Sequence, residues 1–131
     1  TMAHTILLLE DEPLILMDLE FAVEDAGCRP LLAATPDEAL AHISANAKVL
    51  TVAVLDVSLG QWGTCFAVAQ ELDRLDIPFI LHSGDLDRHD EKIRELDAEL
   101  VAKPAPAEKV IAAAIAYALG DRGEGVRLAA E

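Results

Sequence analysis

Charged and hydroxyl side chains follow short apolar segments of the chain, and their types point to one chemistry. Glu10-Asp11-Glu12 and Asp56 each close an apolar segment, and Ser83 and Lys103 close two later ones. Carboxylate oxygens are the ligands that Mg²⁺ prefers, and a serine hydroxyl and a lysine ammonium can both interact with phosphoryl oxygens. This set is suited to phosphoryl transfer onto a carboxylate. Asp56 is the best nucleophile candidate because it ends the clearest strand pattern in the sequence.

The segments before these residues alternate with helical patterns, which predicts an α/β fold. Strands are predicted at 5–9, 29–33, 50–55, 78–82 and 99–102, and helices at 13–26, 36–46, 64–75, 85–96 and 108–119. Thr35 is predicted to cap the second helix, with Pro36 at its first position. Apolar runs without alternation indicate strands that are covered on both faces. The prediction is therefore a doubly wound, five-stranded parallel sheet with right-handed crossovers.

The predicted topology brings the reactive side chains together. In open parallel sheets the working site lies beyond the carboxyl ends of the strands. We therefore expect Glu10, Asp11, Asp56, Ser83 and Lys103 to converge on one crevice. Several carboxylates in one crevice repel each other unless a cation joins them.

Length and composition limit the size of the molecule and its partners. The chain has 131 residues, 53% of them apolar, which is enough for one domain with a real core. We predict a domain over 4–119 and a flexible tail over 120–131. The formal net charge is −14, which disfavours binding to nucleic acid and to anionic membranes. No apolar run approaches the ~18 residues of a membrane span, so we expect a cytoplasmic protein.

Four motifs in this order resemble the receiver domain of two-component response regulators, over nearly the whole chain. They are Ile6-Leu-Leu-Leu-Glu10-Asp11-Glu12-Pro13, Val54-Leu55-Asp56-Val57-Ser58-Leu59, Ile80-Leu81-His82-Ser83-Gly84 and Val101-Ala102-Lys103-Pro104. The resemblance implies the (βα)₅ flavodoxin-like fold with strand order 2-1-3-4-5. Within this family, the sequence is similar in particular to the stand-alone, single-domain receivers.

The resemblance assigns roles to individual residues. Asp56 matches the phosphoacceptor, and Glu10 and Asp11 match the acidic pair that holds Mg²⁺ with it. Ser58 matches the position whose backbone carbonyl completes the metal site. The expected phosphodonor is a sensor histidine kinase or a histidine phosphotransfer protein. The downstream protein partner is not indicated.

Two further residues match positions that interact with the phosphoryl group, and three depart from the family pattern. Ser83 and Lys103 match the hydroxyl and the lysine, and the Lys103-Pro104 bond is commonly cis in the family. Leu100 stands where many members have a Tyr or Phe that turns inward on activation. Gly60 replaces a usual proline, and Gly63 lies one residue short of the usual glycine. The geometry of the loop after Asp56 is therefore left open.

Two other functions remain as alternatives. The chain could be a protein-binding module that uses the receiver scaffold without phosphorylation. It could also be a small Mg²⁺-dependent phosphohydrolase, although such enzymes usually place a second acid where Ser58 stands. We favour a receiver that is not an enzyme beyond its own phosphorylation and dephosphorylation. His82 is interpreted as a structural residue of its strand, and Trp62 as part of the loop over the site.

Overall fold

The computed structural model describes residues 4–84, 95–96 and 98–121. The strands are β1 (Thr5–Leu9), β2 (Arg29–Ala33), β3 (Leu50–Asp56), β4 (Phe79–Ser83) and β5 (Leu100–Ala102). The described helices are α1 (Pro13–Asp25), α2 (Pro36–Asn46), α3 (Phe66–Arg74) and α4 (Ala107–Ala116). A 3-10 turn spans Gly60–Trp62, and a π-type turn, Tyr117–Asp121, follows α4. None of the helices in the described part of the chain is both long enough and apolar enough to cross a membrane.

The five strands form one parallel sheet in the order β2-β1-β3-β4-β5, which confirms the predicted fold class. The register aligns the strand ends: Leu9 lies opposite Leu55, and Ser83 lies opposite Ala102. Residues that follow β1 and β5 therefore emerge at the same edge as Asp56, the last residue of β3. This alignment is what the site needs, because its groups come from separate strands.

The core lies on both faces of the sheet, as the continuous apolar runs predict. In β1, Leu7 and Leu9 pack toward α2 and α3, whereas Ile6 and Leu8 pack toward α1 and α4. All four side chains are essentially inaccessible to solvent. Full burial of such a side chain contributes about 1.5–3 kcal/mol, so β1 is a rigid base for the acidic residues that follow it.

The start of α2 follows the predicted capping pattern. The Thr35 hydroxyl accepts the backbone N–H of Glu38 at 3.2 Å, and Pro36 occupies the first turn. The Glu38 carboxylate accepts the backbone N–H of Ala34 at 2.7 Å. The bond from Thr35 satisfies a donor that the helix itself leaves unpaired, so the prediction of Thr35 as the cap is confirmed.

The loop between β3 and α3 differs from the prediction. The helix predicted from residue 64 begins at Phe66, because Ser58 and Thr64 form an antiparallel bridge. The backbone N–H of Leu59 donates to Gly63 at 2.8 Å, and that of Cys65 donates to Val57 at 3.1 Å. The chain thus folds back on itself directly after Asp56 before it enters the helix.

Other element boundaries shift by a few residues. The fourth strand includes Ser83, and the last helix ends at Ala116 instead of 119. A π-type turn containing Gly120, at φ 122°, follows that helix. The helix predicted at 85–96 lies almost entirely outside the described residues. So does most of the predicted tail.

Candidate active site

Three carboxylates meet at the carboxyl edge of the sheet. One oxygen atom from each of Glu10, Asp11 and Asp56 lies within 4.8 Å of the others. Glu10 and Asp56 are 1% and 4% exposed, whereas Asp11 is half-buried. The backbone N–H of Glu10 donates to Ala33 at 3.0 Å, which continues the pairing of β1 with β2 by one residue. Glu10 and Asp56 are therefore held by the sheet itself.

Lys103 places its ammonium against two of these acids. Its Nζ lies 3.1 Å from Glu10 Oε1 and 3.4 Å from Asp56 Oδ1. Its backbone N–H donates to the Ser83 carbonyl at 2.7 Å, which extends the pairing of β4 with β5. The peptide bond to Pro104 is cis. The other Glu10 oxygen accepts the backbone N–H of Glu12 at 3.1 Å, so the Glu10 carboxylate is oriented from two sides.

One lysine does not balance the negative charge of the cluster. Burial, followed by the charge of Glu10 and a hydrogen bond to it, raises the pKa of Asp56 to about 8, while Lys103 acts in the opposite direction. Burial by itself lowers the pKa of Lys103, but the charges of Asp56 and Glu10 outweigh it and raise that pKa above its usual value. A further cation among the three acids would relieve this imbalance.

The donor set fits a hard divalent cation. Three converging carboxylate oxygens match the preference of Mg²⁺, and the half-buried Asp11 leaves the cluster open to water ligands. Gly60 lies against this acid: a Cβ built there would sit 3.2 Å from Asp11 Oδ2, and its φ is +59°. The glycine that replaces the family's usual proline therefore lets the loop pass close to Asp11.

Ser83 and Ser58 lie at the same edge of the molecule, in different environments. Ser83 is fully buried, and its hydroxyl donates to the Gly84 carbonyl at 3.3 Å. Ser58 is exposed and sits in the bridge with Thr64. The proposed interactions of the Ser83 hydroxyl with a phosphoryl group, and of the Ser58 carbonyl with a metal, stay predictions.

His82 has surroundings that sequence reasoning did not anticipate. It is 4% exposed, and neither ring nitrogen has a hydrogen-bond partner among the described residues. Burial, and then the charge of Lys103, lowers its pKa to about 4, so the ring is neutral at physiological pH. It lines a cavity of about 170 Å³ together with Lys103 and Asp18. A histidine inside an apolar strand carries no pattern that would reveal such a cavity.

Known structures place this architecture in a class of signalling proteins. No family model and no curated protein matches the chain. Among solved structures, a response regulator receiver domain protein from Clostridium thermocellum is 25% identical with a TM-score of 0.75, covering 92% of this chain and 97% of that one. The receiver (REC) domain of the PhyR response regulator from Erythrobacter litoralis is 26% identical with a TM-score of 0.73, covering 90% and 91%. SdrG from Sphingomonas melonis Fr1 is 34% identical with a TM-score of 0.71, covering 88% and 96%.

The parallel sheet with strand order 2-1-3-4-5 and these likenesses over most of both chains define a response regulator receiver domain. The present chain belongs to that family.

Proposed function

We propose that the chain is a receiver that accepts a phosphoryl group on Asp56 in a Mg²⁺-dependent reaction. One observation carries the proposal. The Asp56 carboxylate is buried at a strand end, 3.4 Å from the Lys103 ammonium and clustered with Glu10 and Asp11. The donor is the phosphohistidine of a sensor histidine kinase or of a histidine phosphotransfer protein, which places the reaction in the cytoplasm.

The reaction is an in-line displacement at phosphorus. An oxygen of the ionised Asp56 carboxylate forms the new O–P bond as the P–N bond to the donor imidazole breaks, and the imidazole nitrogen keeps the electron pair. Lys103 offsets charge on the phosphoryl oxygens, and Ser83 supplies a hydroxyl donor beside it. Glu10, Asp11, Asp56 and the Ser58 carbonyl would hold Mg²⁺, which would supply further charge neutralisation. The pKa of Asp56 is about 8 without a metal, and a bound cation would favour its ionised form, so no general base is needed.

The output is a change in protein contacts. An acyl phosphate on Asp56 adds negative charge within reach of Lys103, which in the unphosphorylated chain is bonded to Glu10. Competition between these partners shifts the population between two surface states. The readout is binding of a protein partner or onward transfer of the phosphoryl group. The only reactions at this site are the chain's own phosphorylation and dephosphorylation.

The test is labelling with a small-molecule phosphodonor. The chain is incubated with acetyl phosphate, with Mg²⁺ or with EDTA, and intact mass is measured for one added phosphoryl group. We expect labelling only with Mg²⁺, and none in Asp56→Asn or Asp56→Ala. Glu12→Gln is the matched control, because Glu12 is an exposed acid of the same triplet and lies outside the cluster. Mg²⁺-dependent labelling that persists in both Asp56 variants rejects the assignment.

A further inference from the structure

His82 is a buried polar side chain whose hydrogen-bonding groups are not used by the described part of the chain. Its side chain belongs to a residue that is 4% exposed, and neither ring nitrogen has a partner among the described residues. A neutral imidazole carries one N–H donor and one nitrogen acceptor, and burial of such groups without partners is unfavourable. Buried polar groups are almost always paired with protein or with ordered water. The ring therefore indicates a hydrogen-bonding molecule beside it.

Strand alternation places the side chains of His82 and Lys103 on the same face of the sheet. Ile80, two residues before His82, belongs to the core cluster that includes α1 and α4. Val101, two residues before Lys103, packs against the same cluster. The backbone N–H of Lys103 still pairs with β4, so the strand pattern continues to that residue. Side chains two residues apart in a strand share a face, and both side chains therefore lie on the α1 and α4 side.

The Lys103 side chain crosses the end of β4 at the position of His82. The sheet order puts β4 between β3 and β5. In the register of β3 with β4, His82 is the partner of Asp56. Lys103 follows β5, yet its ammonium reaches to 3.4 Å from the Asp56 carboxylate on β3. The charge of Lys103 contributes to the lowered pKa of His82, which agrees with this proximity.

A cavity of about 170 Å³ adjoins both side chains. His82 and Lys103 line it together with apolar residues, among them Ile15 and Leu19 of α1. A water molecule in the liquid occupies about 30 Å³, so the cavity has room for a few waters. Among the described side chains that line it, those of His82, Lys103 and the exposed Asp18 carry polar groups. A water in this cavity therefore has hydrogen-bond partners on both sides.

We propose that ordered water in this cavity joins His82 to Lys103, and that His82 thereby acts as a positioning residue for the Lys103 ammonium. The ammonium has three N–H groups, and its contacts with Glu10 and Asp56 use two of them. The third donates to water, and the water donates to the acceptor nitrogen of the His82 ring. The ammonium is then held from a third direction. Its role in phosphorylation rests on the proposed function, whereas the water link itself does not.

The water link is tested on the unphosphorylated chain. A high-resolution crystal structure should show water within hydrogen-bond distance of both a His82 nitrogen and Lys103 Nζ. By NMR, the His82 ring N–H should exchange magnetisation with water, and carbon-13 relaxation at Lys103 Cε should report a more mobile side chain in His82→Leu. A cavity without water, a direct bond between His82 and Lys103, or unchanged Lys103 mobility in His82→Leu overturns the proposal.

Filling the cavity tests the water without changing either residue that it joins. Ala105→Leu extends an aliphatic side chain from the cavity wall, and Ala112→Leu makes the same substitution on the exposed side of α4, outside the cavity. We expect Ala105→Leu to slow phosphorylation by acetyl phosphate about fivefold, the effect of one hydrogen bond, and Ala112→Leu to leave the rate unchanged. Because both changes break the same link, Ala105→Leu should cause no further loss in His82→Leu. Independent, additive losses contradict the proposal.

A conservative replacement separates positioning from packing. His82→Gln keeps an amide donor and a carbonyl acceptor, whereas His82→Leu keeps only the volume. We expect the glutamine variant to stay within about twofold of the parent rate and the leucine variant to lose about fivefold. Urea denaturation checks that both are folded, and equal losses of rate in two folded variants overturn the positioning role.

The two proposals of function and positioning fail in different ways. If the parent chain is not phosphorylated, the proposed function fails, and the water link is decided by the crystal structure and by the mobility of Lys103. If the parent chain is phosphorylated but the cavity holds no water that joins the two side chains, the positioning role fails and the proposed function stands.

Discussion

Lys103 determines the charge balance at the site. It contacts both buried acids, and each of these acids is also a candidate metal ligand. The lysine and a divalent cation would therefore compete for the same oxygens in the unphosphorylated chain. In the proposed reaction, the same ammonium would offset charge on the phosphoryl oxygens.

Replacing Lys103 should separate these two roles. In Lys103→Gln we expect tighter Mg²⁺ binding, because a competing positive charge has been removed. We expect phosphorylation by acetyl phosphate to slow by about 10- to 100-fold, because a transition-state interaction has been lost. Fluorescence of Trp62, the single tryptophan of the chain, can follow metal binding from the loop that passes Asp11. Lys109→Gln is the control, since Lys109 is exposed on α4. An unchanged rate of phosphorylation in Lys103→Gln would show that the Lys103 ammonium plays no part in this reaction.

His82 should make the stability of the chain sensitive to acid. Its pKa of about 4 in the folded chain lies below the ordinary 6.5, so the unfolded chain binds the proton more readily. The contribution of the neutral His82 ring to the free energy of unfolding is fully present above pH 6.5 and decreases as the pH drops toward 4. Between pH 7.5 and 4.5 the loss amounts to about 2–3 kcal/mol. Urea denaturation at both pH values should show a smaller loss in His82→Leu than in the parent. Equal losses of stability in the parent and in His82→Leu would contradict the burial of a neutral His82 ring.

At the scale of elements, the turn between β3 and α3 brings the loop close to the candidate metal site. Gly60 and Gly63 both have positive φ, at +59° and +86°. A Cβ at Gly60 would approach Asp11, whereas at Gly63 it would meet nothing within 4 Å. The two glycines therefore share a backbone requirement but differ in their contact with the site.

Alanine at each glycine should reveal this difference. Both Gly60→Ala and Gly63→Ala should destabilise the chain by about 1 kcal/mol, because alanine is strained at positive φ. Only Gly60→Ala should also weaken Mg²⁺ binding, since its methyl group would displace Asp11. Denaturation curves and calorimetric titration measure the two effects. Equal Mg²⁺ affinities in the two variants would show that the approach of Gly60 to Asp11 does not matter for the metal.

At the scale of the whole molecule, the cluster of buried acids opposes folding, and a bound cation would relieve that effect. The raised pKa of Asp56, about 8, means that the folded metal-free chain holds a proton there that the unfolded chain releases. The contribution of this group to stability is complete below pH 3.8 and is lost as the pH rises through 8. Metal binding to the folded chain acts in the opposite direction.

Asp56→Asn should therefore stabilise the metal-free chain. At pH 8 we expect its free energy of unfolding to exceed that of the parent by on the order of 1–3 kcal/mol, because a buried charge has been removed. Mg²⁺ at ten times its Kd should raise the stability of the parent by about 1.4 kcal/mol and that of the variant much less. Thermal unfolding with and without Mg²⁺ provides the measurement. If Asp56→Asn were less stable than the metal-free parent, the buried charge of Asp56 would not be what destabilises the chain.

Much of the architecture could be read from local patterns. Continuous apolar runs predicted buried parallel strands, and Thr35-Pro36 predicted a helix start, because both depend on residues that are close in sequence. The loop after Asp56 could not be predicted in this way. Its bridge between Ser58 and Thr64 depends on how the chain turns back on itself beyond β3.

The sequence by itself determined the order of the predicted strands and helices, the net acidic charge and the identities of the candidate site residues. The reason is that functional sites of open parallel sheets lie beyond the carboxyl ends of their strands. Only the tertiary structure decided that Lys103 contacts Glu10 and Asp56 and that Gly60 lies against Asp11. It also left the buried ring of His82 with no hydrogen-bond partner among the described residues. The physical reason is distance along the chain. Lys103 and Glu10 are separated by 93 residues, and only the register of the assembled sheet brings their charged atoms to 3.1 Å.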